Sequence, residues 1–99
     1  MPVEKEVEPL AAVAAYPNPF EKRTAIRYSL PEDGIVKIDV YSSEGQILKN
    51  LLWAPQFAGT NEVIWDGTNA AGVSLANGVY FYRVQYGEEA VAGRLVLSR

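Results

Sequence analysis

The sequence predicts an all-β domain, a two-sheet antiparallel sandwich of seven short strands. Three observations carry that prediction. Apolar and polar residues alternate in segment after segment, turn signals recur roughly every ten residues, and no stretch sustains an amphipathic helical period. A small barrel is the alternative arrangement of the same strands.

The elements follow in order. Residues 1–13 read as a lead-in: Pro2 to Pro9 is charged, holds two prolines and has no sustained period, so a solvated spacer is expected. Met1-Pro2 ahead of an acidic stretch suggests an expression start or a cut inside a longer protein, and no signal-peptide pattern opens the chain. The folded domain is expected over 14–99. Residues 10–16 can form a short strand, closed by Pro17-Asn18-Pro19-Phe20, where the prolines remove two backbone donors and bias Tyr16 and Asn18 away from helix.

Ile26, Tyr28 and Leu30 then share one face, with Arg27 and Ser29 on the other. Pro31-Glu-Asp-Gly34 is a turn in which Asp-Gly tolerates positive φ. Val36, Ile38 and Val40 alternate with Lys37, Asp39 and Tyr41, so the first three should be buried and Lys37 and Asp39 exposed. Residues 46–53 are ambiguous: Ile47, Leu48, Leu51 and Leu52 have the spacing of a helical turn, while short length and bracketing turns favour a strand.

Residues 59–65 give a strand with Val63 and Trp65 inward, followed by a turn-rich loop over 66–78. In residues 79–86, Tyr80, Tyr82 and Val84 face inward, with Phe81, Arg83 and Gln85 outward. Gly87-Glu-Glu89 makes a hairpin into 91–97, with Leu95 and Leu97 in the core.

Composition bounds the function. The 99 residues leave room for one domain, and 48% apolar content with 11% aromatics is that of a globular one. A net charge of −3 leaves no basic footprint for nucleic acid. No apolar run is long enough for a helical membrane span. The chain has no histidine and no cysteine, which removes the usual general base, the commonest zinc ligand and any disulfide. No catalytic residue, metal or cofactor is expected. Asp66, Asn69 and Asn77 share a glycine-rich loop that suggests calcium, but it holds one carboxylate where tight calcium sites gather several. Asp-Gly and Asn-Gly form such turns unaided. The aromatic residues suggest a sugar-stacking platform; alternation assigns most of them to the core and leaves Trp53, Phe57 and Phe81 exposed.

Three segments in order form a pattern: Tyr16-Pro17-Asn18-Pro19-Phe20, Trp65-Asp66-Gly67 with Gly72, and Gly78-Val79-Tyr80-Phe81-Tyr82-Arg83-Val84. The pattern resembles the C-terminal sorting domains of type IX secretion substrates, of the branch related to the immunoglobulin-like domain of the flagellar hook-capping protein. It covers about 14–99, and the close at Leu95-Val96-Leu97-Ser98-Arg99 is similar to the apolar and basic ending of such domains.

The resemblance implies a seven-stranded antiparallel immunoglobulin-like sandwich, monomeric and non-catalytic. Its role would be to direct a cargo domain in the same chain through the periplasm and outer membrane, by way of the type IX machinery, to secretion or the cell surface. It also implies that Tyr16 to Phe20 form the linker junction and that Trp65, Asp66 and Gly67 shape a loop. Gly78 and Tyr80 would then fix a strand, and Leu95 to Arg99 would be the recognised segment. Ser98 and Arg99 are expected to be exposed and replaceable without cost to the fold. A carbohydrate-binding accessory module of a secreted hydrolase, or a structural domain of a surface or flagellar assembly, are the alternatives.

Overall fold

The structure, a computed structural model, describes residues 11–99. The expected spacer, Pro2 to Pro9, lies outside the described residues. Among them there is no helix, and seven strands pair antiparallel: β1 (Ala11–Tyr16), β2 (Thr24–Leu30), β3 (Gly34–Tyr41), β4 (Ile47–Gln56), β5 (Gly59–Trp65), β6 (Gly78–Tyr86) and β7 (Glu89–Leu97). They form two sheets, β1-β2-β5 and β4-β3-β6-β7, packed face to face. β1 begins ahead of the expected domain boundary at residue 14.

The inward positions of the two sheets meet in one core. Ile26, Tyr28 and Leu30 of β2 face Val36, Ile38 and Val40 of β3, with Trp65, Tyr82, Val84, Leu95 and Leu97 closing around them. Phe20, from the loop ahead of β2, is buried with them. Each such side chain contributes on the order of 1.5–3 kcal/mol of transfer free energy. Trp53 and Phe57 are exposed as alternation requires, and Phe81 is just so.

β4 explains its own helical look. It pairs with β3 throughout, but its register slips between Ile38 and Asp39 and again between Val40 and Tyr41, leaving Leu51 and Leu48 as unpaired extra residues. Each slip advances the strand's facing by one residue. Two bulges in one strand convert a period of two into the adjacent pairs Ile47-Leu48 and Leu51-Leu52, which by spacing mimic a helical turn. Asn50 fills the gap at the first bulge, its amide donating to the carbonyls of Ile38 (3.3 Å) and Leu52 (3.1 Å).

Three expectations are corrected. Asp39 stands on the solvent side of the sheet yet is only 5% exposed. It is central in the sheet, opposite Asn50 and Arg83, and its carboxylate accepts from Asn50 Nδ2 at 2.9 Å. Lys37 is half-buried, its ammonium 3.8 Å from Asp39 and 4.5 Å from the centre of the Trp53 ring. Tyr80 is half-buried rather than buried, because it sits at the margin of the core, where its hydroxyl reaches out to the carbonyl of Ala76. The turn at 31–34 also works differently: Gly34 is already in β3, and Asp33 accepts from the backbone N–H of Ala58 at 2.7 Å.

Candidate functional site

The pairing registers define two ends. Tyr16, Thr24, Tyr41, Trp65, Gly78 and Leu97 terminate or begin their strands at one end; Ala11, Leu30, Gly34, Gln56, Gly59, Tyr86 and Glu89 do so at the other. At about 3.3 Å per residue the ends stand roughly 25 Å apart. The first two motif segments, the start of the third at Gly78 to Tyr80, and residues 95–99 lie at the first end, and the rest of the third runs along β6 toward the other.

Trp65 is the hub. Its indole is fully buried, with ring centres 5.5 Å from Phe20 and 5.6 Å from Tyr80, the latter nearly edge-on. Such pairs add about 0.5–1.5 kcal/mol each beyond area burial. The indole N–H donates to the carbonyl of Thr68 at 2.9 Å, so the one polar atom of the ring is met by the loop that follows. The loop is self-supporting. The Asp66 carboxylate accepts from the Thr68 hydroxyl (2.6 Å) and backbone N–H (3.2 Å). Those bonds, the hydroxyl first and with help from the Lys49 charge at 3.7 Å, hold its pKa below the ordinary carboxylate value against desolvation, which opposes them and ranks next after the hydroxyl. Asn69 Oδ1 accepts from Ala71 and Val73, both at 3.0 Å, and Gly72 turns the chain at φ 78°.

Gly67 shows why this loop needs a glycine at its start. It has φ 77°, and a Cβ there would lie 2.8 Å from Arg99 Nη2 and 3.3 Å from Leu97 Cδ2. Its carbonyl accepts from Leu75 N–H at 2.9 Å.

Residues 16–20 and 95–99, far apart in sequence, are joined here. Asn18 lays its carboxamide along the free edge of β7: Nδ2 donates to the Arg94 carbonyl at 2.7 Å, and Oδ1 accepts from Val96 N–H at 2.9 Å. Phe20 continues as a short parallel bridge, its N–H donating to Val96 and its carbonyl accepting from Ser98, both at 2.9 Å. Both X-Pro bonds of the segment, Tyr16-Pro17 and Asn18-Pro19, are cis. Thr24, almost fully buried, donates to the Pro17 carbonyl at 2.8 Å.

On the other side of β7 a second carboxamide does the same work. Asn77 exchanges hydrogen bonds with the backbone of Arg99, accepting at 2.9 Å and donating at 3.2 Å. The Arg99 guanidinium donates to the carbonyls of Leu75 (2.6 Å) and Gly67 (3.5 Å). Ser98 and Arg99 are exposed, as expected, but Arg99 is not idle and its replacement costs contacts. Leu95 and Leu97 are buried in the core, and Val96 has its backbone taken. Pro17, Pro19 and Gly78 complete the frame, and Tyr16 remains 81% exposed.

Lys49, Thr24 and Asn77 were not singled out as members of this end. Asn77 reads from sequence as half of an Asn-Gly turn. Nothing local announces that their side chains reach Pro17, the 66–68 loop and the backbone of Arg99.

A two-sheet antiparallel sandwich with its motif residues gathered at one end defines a small immunoglobulin-like module. A family model for the FlgD Ig-like domain matches residues 20–90, and the chain belongs to that family. No curated protein matches the chain. Among solved structures, dimeric latent PorU from Porphyromonas gingivalis is similar, at 25% identity and a TM-score of 0.73 over 96% of this chain. PorZ of the same organism, described as an essential bacterial surface component of the type-IX secretion system, has the same fold, at 24% identity and a TM-score of 0.62 over 88%. The chain spans 10% of the PorU chain and 11% of the PorZ chain, so each likeness is to one part of a much longer protein.

Proposed function

We propose that this domain is a non-catalytic module of a larger exported bacterial protein, read by the outer-membrane type IX machinery as a sorting signal and used to hold its cargo at the cell surface. The observation that carries the reading is the gathering of Tyr16 to Phe20, the Trp65 loop, Gly78 to Tyr80 and Leu95 to Arg99 at one end of the sandwich. β1 begins at the opposite end, so a cargo domain joined ahead of it leaves the motif end uncovered. The likeness to PorZ, described as a component of the type-IX secretion system, supports the export context.

The test is a graft. Residues 11–99 fused behind an unrelated periplasmic cargo should carry it to the surface in a host with the type IX machinery, and not in a host from which that machinery is deleted. Arg99→Ala should lower export while circular dichroism stays that of a β-sandwich, since one guanidinium and its two carbonyl contacts are lost and the core is untouched. A folded wild-type graft that stays in the periplasm would overturn the reading.

A further inference from the structure

The solvent face of the four-stranded sheet carries, near the end away from the motifs, a surface that the export reading does not use. Trp53 is 68% exposed there, directly across the β3–β4 pair from Lys37. It forms one wall of a groove of about 310 Å³, lined also by Ile35, Lys37, Gln85 and Gly87. Ile35, 60% exposed, separates this groove from a second of about 300 Å³ that runs past Pro55 to Phe57, itself 80% exposed.

We propose that the Trp53 groove binds a neutral polysaccharide chain, packing a sugar ring against the exposed part of the indole that the Lys37 ammonium leaves open and hydrogen-bonding its hydroxyls with Lys37 and Gln85. Four features favour that occupant. The first is the lining: a flat aromatic wall beside an ammonium and an amide matches the apolar C–H face and hydroxyl rim of a pyranose. The second is preorganisation. Asn50 holds Asp39 at 2.9 Å, Asp39 stands 3.8 Å from the Lys37 ammonium, and that ammonium lies 4.5 Å over the Trp53 ring. A carboxylate almost fully buried on the solvent side of a sheet serves no core, and here it fixes the donor against the platform.

The third feature is charge. Lys37 already has its counter-ion in Asp39, so a neutral sugar fits better than a uronate or a phosphate. The fourth is shape and size. Two open grooves in series suit consecutive units of one chain, whereas a stable protein interface takes roughly 800 Å² from each partner and keeps charge out of its centre. The inference goes beyond the export reading and stands without it.

The chain has two tryptophans, and Trp65 is fully buried, so any ligand-dependent change in exposed-indole emission reports Trp53. The domain is titrated with neutral β-linked hexasaccharides of glucose, mannose, xylose and N-acetylglucosamine, following fluorescence and amide NMR shifts. At least one should bind with Kd between about 10 μM and 10 mM, shifting the amides of Lys37, Trp53, Gln85 and Gly87. Trp53→Ala should lose about tenfold or more in affinity with an unchanged thermal midpoint, and Trp53→Phe should keep part of it. Silence across the panel, or binding that survives Trp53→Ala, overturns the proposal. Concentration-dependent shifts of the same amides without sugar, abolished by Trp53→Ala, would also overturn it and make the face a protein contact.

Discussion

Removing the Asn18 carboxamide tests whether the motif end is held as the geometry states. Its two hydrogen bonds to β7, at 2.7 and 2.9 Å, tie residues 16–20 to residues 94–98 across most of the chain. A net hydrogen bond contributes about 0.5–1.5 kcal/mol, and both of these lie near solvent, so Asn18→Ala should cost about 1–2 kcal/mol. For a domain of this size that is a fall in thermal midpoint of roughly 5–15 °C. Asn18→Asp is the sharper variant. It keeps an acceptor for Val96 N–H but replaces the donor with an oxygen facing the Arg94 carbonyl. It should cost at least as much at neutral pH and recover in part once the carboxyl is protonated. Thermal unfolding measures the cost, and hydrogen exchange at the Val96 amide locates it, because that N–H loses its partner in Asn18→Ala. Tyr16→Ala, at a side chain 81% exposed, is the control and should stay within about 0.5 kcal/mol of wild type. An Asn18→Ala protein whose midpoint and Val96 exchange both match wild type would refute the clamp.

Three further outcomes follow from the packing and the charges. Gly93 lies opposite Tyr82, whose ring crosses the space a side chain would need, so Gly93→Ala should lower the urea midpoint by the equivalent of about 1–3 kcal/mol with an unchanged slope. The Asp66 carboxyl is lowered chiefly by the Thr68 hydroxyl, so its contribution is present above the unfolded value near 3.9 and is lost as pH falls through the folded value; Thr68→Ala should shrink that acid-limb slope in a stability–pH profile. Burial raises the Tyr28 and Tyr82 phenols, so their contribution is full below the unfolded value near 10 and is lost as pH rises through the raised values. The alkaline loss of stability should therefore begin near pH 10, read by the same profile.

The strands were legible where the chain keeps a strict period of two. β2, β3 and β5 were read nearly as they stand, because Ile26-Tyr28-Leu30, Val36-Ile38-Val40 and Val63-Trp65 report a sheet face directly. β4 was ambiguous because a bulge is a register property, set by pairing with β3, and register has no local signature. Asp39 was misplaced for a related reason. Alternation gives the side of the sheet, which was right, but not how closely Asn50 and Arg83 crowd a central strand on that side. At the candidate site, the motif residues were visible as words in the sequence and their convergence was not. Asn18 reads as part of a proline-flanked entry and Asn77 as half of an Asn-Gly turn, and their long-range carboxamide bonds exist only once β7 lies between them.

That convergence changes what a receptor would read in residues 95–99. Leu95 and Leu97 are exposed by 1% or less, Val96 gives both backbone groups to Asn18 and Phe20, and Arg99 is held by Asn77, Leu75 and Gly67. A short linear peptide of this sequence would present all of those groups free, whereas the folded domain presents almost none of them. What the fold displays at this end is a composite surface: the exposed ring of Tyr16 on one side, Val73 at 58% exposure on the loop, and Ser98 with the outer edge of Arg99 between strands. A sorting signal of this construction is a shape, available only after the sandwich has closed. On the proposed reading, folding of the module precedes its recognition, and any change that frees β7, even one far from residue 99 such as Asn18→Ala, would act on export through the same surface.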